Sequence, residues 1–146
     1  VLDAACGGSY WMPLLPNYIG MDIVPEAVEA MRITFPARTF LVADICTDSL
    51  PTSDLVIMRD VLAHLPTEDV LAAIENVRES QSRWLLATSF TDGDNTVDVK
   101  PGGYHEIDLS SDPFSLGMPT ESLPDGYWED RVVYPSKIMG LWELSK

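Results

Sequence analysis

VLDAACGGSY, residues 1–10, decides the fold. A short apolar run carrying one acid, Asp3, ends in Gly7-Gly8-Ser9. It reads as a buried strand entering a tight turn, where small residues permit positive φ and let backbone approach a ligand. Four further runs repeat the theme: YIGMDI (18–23), TFLVAD (39–44), DLVIMR (54–59) and WLLATSF (84–90). Each is apolar, short and bounded by turn residues, as strands covered on both faces are. Two helical patterns lie between them. PEAVEAMRITF (25–35) puts Val28, Met31 and Phe35 on one face, with Pro25 suited to its first turn. TEDVLAAIENVRES (67–80) puts Val70, Ile74 and Val77 on one face, with Thr67 expected as N-cap and Glu68 and Asp69 in the first turn. Strand–helix alternation of this kind means an α/β parallel sheet.

After Phe90 the character changes. TDGDNTVDVKPGG (91–103) is a long polar loop, and a loop of that length in a compact domain predicts a lid or a disordered segment. YHEIDL (104–109) and KIMGLWEL (137–144) read as two tail strands separated by a Pro-rich meander. The whole chain, 1–146, is expected to form one domain.

Composition narrows the function. Net charge is −14, from 23 acidic against 9 basic side chains, and the basic ones never form a run. Duplex nucleic acid and anionic membranes both need a clustered basic face, so neither is an expected partner. Cys6 and Cys46 are too few for a disulfide framework, and no signal peptide or spanning segment is visible. These features predict a reduced, cytoplasmic protein.

Three strands close in a carboxylate: Asp22 ends YIGMD, Asp44 ends FLVAD and Asp60 follows DLVIMR, while Asp3 sits late in the first strand. In open α/β sheets ligands bind outside the carboxyl ends of the strands. Acids at consecutive strand ends therefore converge on one crevice, suited to a diol, an ammonium or an exocyclic amine and hostile to polyphosphate. A single Asp after a strand is often only a turn or a helix cap. The dinucleotide pattern G-x-G-x-x-G and the P-loop lysine are both absent, which makes a nicotinamide oxidoreductase a poor alternative.

The ordered series VLDAACGGSY, YIGMD, FLVADI, DLVIMRDVLAHL and WLLATSF resembles the motif series of class I S-adenosylmethionine-dependent methyltransferases over residues 1–90. The resemblance implies a Rossmann-like fold, a mostly parallel sheet closed by an antiparallel C-terminal strand pair. It implies S-adenosylmethionine as cofactor and S-adenosylhomocysteine as product. By motif position Asp3, Ala5, Gly7 and Ser9 fall where the family has its acid and three loop glycines, around the methionine part of the cofactor. Asp22 matches the acceptor of the ribose hydroxyls, with Ile23 flanking the adenine. Asp44 matches the acid near the adenine amino group, with Ile45 beside it. Arg59 and Asp60 match the stretch facing the methionine end and the methyl acceptor. More weakly, GGYHEIDL and the terminal GLWEL resemble a subgroup of small bacterial and phage methyltransferases.

The chain departs from the pattern in three ways. Ala5 and Ser9 replace two loop glycines, and Pro13 and Pro16 predict a short or missing first helix. Helices that the family carries ahead of the first strand are not in this sequence. Apolar surface on that sheet face, and self-association through it, are expected in consequence.

Methyl transfer asks the protein mainly to hold donor and acceptor in line, with a base only where the nucleophile must lose a proton. His64, four residues after Asp60, is the leading candidate base, although a packing or capping role suits it as well. His105 is a second candidate beside the lid. Tyr10, Trp11 and Tyr104 are expected to wall the pocket, and Trp84 and Trp142 to pack in the core. The Asn-Pro-Pro-Tyr signature for methylating base amino groups is absent, and neither cysteine sits in the motif of a C5-cytosine nucleophile. The reading is methyl transfer to a small molecule, with Asp60 and His64 on the acceptor side and no metal. The alternative is a non-catalytic methyltransferase-fold module or partner subunit that keeps cofactor binding or only the fold.

Overall fold

The computed structural model describes residues 1–8, 15–128 and 131–144. Five strands form the parallel part of one sheet: β1 (Leu2–Ala4), β2 (Ile19–Asp22), β3 (Thr39–Val42), β4 (Leu55–Met58) and β5 (Trp84–Phe90). Two antiparallel strands complete it, β6 (Glu121–Pro124) and β9 (Lys137–Glu143), in the order β3-β2-β1-β4-β5-β9-β6. The short strands β7 (Tyr127–Trp128) and β8 (Arg131–Val132) pair separately. The sheet is thus Rossmann-like, mostly parallel and closed by a C-terminal antiparallel pair, as the sequence predicts.

One member of that pair differs from expectation. Residues 104–109 form no strand; β6 takes the edge instead. Yet the alternation in YHEIDL is real in burial, since His105, Ile107 and Leu109 all point inward. Their backbone is held by single bonds rather than a ladder. Leu109 N–H donates to Ser89 Oγ at 3.0 Å, Asp108 N–H to Asn95 Oδ1 at 2.9 Å, and Phe90 N–H to the Ile107 carbonyl at 2.8 Å.

Helices α1 (Pro25–Thr34) and α2 (Thr67–Glu79) pack on opposite faces. The α2 face gathers Leu2, Ala4, Met21, Val56, Met58, Leu85 and Ala87, alternate residues of adjacent strands in register. The α1 face carries Val28, Met31, Phe40, Ile57 and Met139. On this face Gly20 pairs with Phe40, whose ring lies over it. A Cβ at Gly20 would stand 2.6 Å from Phe40 Cδ1, so only glycine fits. Farther along the same face Leu55, Leu86 and Leu141 are half-buried.

Pro25 opens α1 as expected. Thr67 does not cap α2; Pro66 occupies that position and offers no side-chain bond. The cap comes from Asp98, whose Oδ1 accepts from Thr67 N–H at 2.8 Å and from Thr67 Oγ1 at 3.0 Å. The polar loop 91–103 is therefore a strap rather than a free lid. It is tied down again where Gly102 N–H donates to the His64 carbonyl and His105 N–H to that of Ala63, at 3.0 and 2.9 Å.

Candidate functional site

The chain moves outward from β1 through β2 to β3, then returns to place β4 on the other side of β1. That reversal opens a crevice beyond the carboxyl ends of β1 and β4, where open α/β sheets bind ligands. A cavity of about 90 Å³ lies here. Ala5, Asp22, Ile23, Asp44 and Ile45 all line it. So five residues assigned to the cofactor from motif position meet in one place. Ala43, Cys46, Val61 and Leu65 complete the lining and were not anticipated. Ala43, Cys46 and Val61 lie within a few residues of strand ends already identified, whereas Leu65 comes from the end of the 3₁₀ turn after β4.

The loop after β1 is shaped by its backbone. Ala5 holds φ of 76° and Gly7 φ of 47°, both left-handed, and the Ala5 and Cys6 N–H groups both donate to the Met21 carbonyl at 2.8 Å. Ala5 thus adopts the conformation that a glycine takes without strain. Gly7 N–H donates to Asp22 Oδ2 at 2.9 Å, and Val24 N–H to Asp22 Oδ1 at 3.0 Å. Asp22 therefore braces the loop and the turn into α1 at once. Each carboxylate oxygen has a further lone pair for a ligand hydroxyl.

Asp44 is built the same way. Its Oδ1 accepts from Cys46 N–H at 2.8 Å, and its own N–H donates to Asp48 Oδ2 at 2.9 Å. Burial, helped by Asp44 and Asp69, pushes the Cys46 thiol up to about 12 and favours its protonated form. Burial does the same to Cys6.

Asp3 does not line the cavity. It is buried beneath the loop, where Tyr18 Oη donates to Asp3 Oδ2 at 2.9 Å. Burial raises its pKa to about 6 against the lowering effect of Tyr18, and Asp22 adds to the rise. Arg59 also lies outside the lining and pairs with Asp125 at 3.0 Å, which raises its pKa further. Asp60, at φ of 55°, binds Lys137 Nζ through Oδ1 at 2.7 Å, and its N–H donates to Thr88 Oγ1 at 2.9 Å. Lys137 also reaches Asp125 Oδ2 at 3.4 Å, so four charges tie the ends of β4, β6 and β9 together.

His64 lies in a 3₁₀ turn, Leu62–His64, between the cavity-lining Val61 and Leu65. It is exposed, its Nδ1 lies 2.7 Å from the Gly103 carbonyl, and its ring meets Tyr104 at 5.5 Å. A carbonyl only accepts, so neutral His64 carries its proton on Nδ1 and keeps the Nε2 lone pair. His105 is a different kind of histidine. It is buried, with Nδ1 2.8 Å from the Val97 carbonyl and Nε2 3.0 Å from that of Leu65, and it serves the strap. Ser9, Tyr10 and Trp11 lie outside the described residues. Among the described residues no cluster of His, Cys, Asp and Glu has metal-binding geometry.

Comparison with known proteins agrees with this fold. Residues 2–83 match the model of the methyltransferase domain family. No curated protein matches the chain. Magnesium protoporphyrin IX methyltransferase from Synechocystis, crystallised with S-adenosylmethionine, superposes with a TM-score of 0.71 at 22% identity, over 97% of this chain and 68% of that one. N-methyltransferase NodS from Bradyrhizobium japonicum, in complex with S-adenosylhomocysteine, gives 0.67 at 17% identity, over 99% and 76%. A TehB-like S-adenosylmethionine-dependent methyltransferase from Corynebacterium glutamicum gives 0.70 at 16%, over 99% and 79%. A glycopeptide N-methyltransferase is spanned over only 43% of its length. With its sheet order, its crevice and more than half its length matching one family model, the chain belongs to the methyltransferase domain family, in its class I, Rossmann-like form.

Proposed function

We propose that this chain binds S-adenosylmethionine and transfers its methyl group to a small-molecule acceptor. One observation carries the reading: Ala5, Asp22, Ile23, Asp44 and Ile45 line a single cavity at the switch point of the sheet. Its chemistry fits adenosine. Ile23, Ile45, Val61 and Leu65 offer apolar surface for a flat heterocycle, and two carboxylates offer acceptors for ribose hydroxyls and an exocyclic amine.

When bound, the cofactor supplies a methyl group already activated on sulfur, which leaves its electron pair behind as the acceptor's lone pair forms the new bond. The protein's part is placement. Asp22 and the loop from Ala5 to Gly7 would hold one end of the donor. The segment from Asp60 to Leu65 would face the acceptor, with His64 Nε2 taking a proton where the nucleophile has one to lose. Asp60 enters this scheme paired with Lys137, so it positions rather than deprotonates.

The second reading, a non-catalytic partner subunit, draws support from the strained Ala5 where the family has glycine. A methyl-transfer assay separates the two. Turnover supports the enzyme, and tight S-adenosylhomocysteine binding with no turnover on any small-molecule pool supports the subunit. The same proposal takes residues 1–146 as one domain working in the cytoplasm, in keeping with two free thiols. Among the described residues no helix is long and apolar enough to cross a membrane. Self-association would use the face carrying half-buried Leu55, Leu86 and Leu141, and a strictly monomeric mass at high concentration would count against it.

A further inference from the structure

Phe90 ends β5 fully buried, and two tyrosines meet it edge to face. The ring centroids of Tyr104 and Tyr134 each stand 6.3 Å from that of Phe90, at interplanar angles of 87° and 85°. Unlike Phe90, both are substantially exposed, 46% for Tyr104 and 41% for Tyr134. Two large aromatic rings, each kept partly in water, thus flank a buried third and offer flat apolar surface to a ligand.

Its position is as informative as its composition. The segment 60–65 has the cofactor cavity on one side, through Val61 and Leu65, and Tyr104 on the other, through His64. Lys137 is the direct cross-strand partner of Phe90, and its Nζ holds Asp60. The tyrosine pair therefore adjoins the segment 60–65, with His64 against Tyr104 and Val61 and Leu65 on the cavity. Burial, with Glu106, Tyr134 and Asp60 adding to it, raises the pKa of Tyr104. Lys137, the nearby cation, is already shared between Asp60 and Asp125.

We infer that the methyl acceptor is a flat aromatic molecule, neutral or cationic, held against Tyr104 and Tyr134 beside the cofactor cavity. This rests on the methyl-transfer reading above and narrows it to a substrate class. Stacking on the rings supplies affinity, and Glu106 together with the chain's net charge of −14 disfavours carboxylated and phosphorylated rings.

Calorimetric titration with 1-naphthol, 1-naphthylamine, 1-naphthoate and the saturated 2-decalol tests it, in protein saturated with S-adenosylhomocysteine. Naphthol and naphthylamine should bind, with naphthoate and decalol clearly weaker. Tyr104→Ala and Tyr134→Ala should each weaken naphthol about fivefold. Tyr104→Phe and Tyr134→Phe should restore it, since the ring and not the hydroxyl is needed. S-adenosylhomocysteine affinity in the four variants should stay within about twofold of the parent. Equal binding of decalol and naphthol, tighter binding of naphthoate, or no effect of either alanine variant would overturn the aromatic subsite. S-adenosylhomocysteine bound with no naphthol bound also overturns it, and leaves the cofactor reading standing. No S-adenosylhomocysteine bound overturns the cofactor reading, and the acceptor role with it.

Discussion

The Gly7 amide donates to Asp22 Oδ2 at 2.9 Å, tying the loop after β1 to the end of β2. One carboxylate thus shapes the glycine loop and offers itself to the ligand that the loop surrounds. Asp22→Ala removes both roles, and S-adenosylhomocysteine affinity should fall by roughly 1.5–3 kcal/mol, the worth of hydrogen bonds to a charged acceptor. Asp22→Asn keeps an oxygen for Gly7 and should lose less. Unchanged calorimetric affinity in Asp22→Ala would remove the ribose from this position.

Ala5 sits at φ of 76°, where an L side chain is strained by roughly 1–2 kcal/mol. Replacing it with glycine relieves that strain, offset in part by a more flexible unfolded chain. Ala5→Gly should therefore raise the denaturation midpoint slightly without changing the m-value. A lower midpoint would mean that the Ala5 methyl, which lines the cavity, contributes packing that outweighs the strain.

Asp3 makes stability depend on pH. Its folded pKa of about 6 lies above the ordinary 3.8, so between those values the folded state holds a proton that the unfolded state has released. Stability should therefore fall as pH rises from about 4 to about 6.5, by a total on the order of 3 kcal/mol. Asp3→Asn still accepts from Tyr18 and cannot ionise, so its urea midpoint should lose this decline. Tyr18→Phe strips the stabilising donor from the carboxylate and should be less stable at pH 7 than at pH 4.5. A parental profile flat across this window would contradict the buried acid.

Gly20 is required by Phe40. A Cβ there would lie 2.6 and 2.7 Å from two atoms of the ring and 3.0 Å from Cys6 Sγ. Gly20→Ala should cost about 1–3 kcal/mol, as overpacking does. Phe40→Leu, destabilising alone, should reduce that cost in the double variant. Simple additivity would show that the ring moves aside freely.

Much of this was legible in the residues. Apolar runs bounded by turns gave all five parallel strands, and the 3.6-residue pattern gave both helices with ends displaced by at most a residue or so. The cavity followed from acids at strand ends, since parallel strands bring those ends together. Other features were hidden for physical reasons. Strand β6 reads Glu-Ser-Leu-Pro, all exposed, with no inward face to create an alternation and a proline that only an edge tolerates. YHEIDL has the alternation but finds its partners in Ser89 and Asn95, and no periodicity encodes that choice. Arg59 and Lys137 were beyond reach too, because their partners Asp125 and Asp60 are 66 and 77 residues away in sequence. Long-range ion pairs leave no local pattern.

The central claim is that the adenosine end of the cofactor lies between Asp22 and Asp44. Titrating S-adenosylhomocysteine while following backbone amide resonances tests it most directly. The largest shifts should fall on Ala5, Gly7, Ile23, Ile45 and Cys46. Saturation with no shift there, or shifts centred on Ser53, Asp54 and Arg83 at the amino ends of β4 and β5, would contradict it.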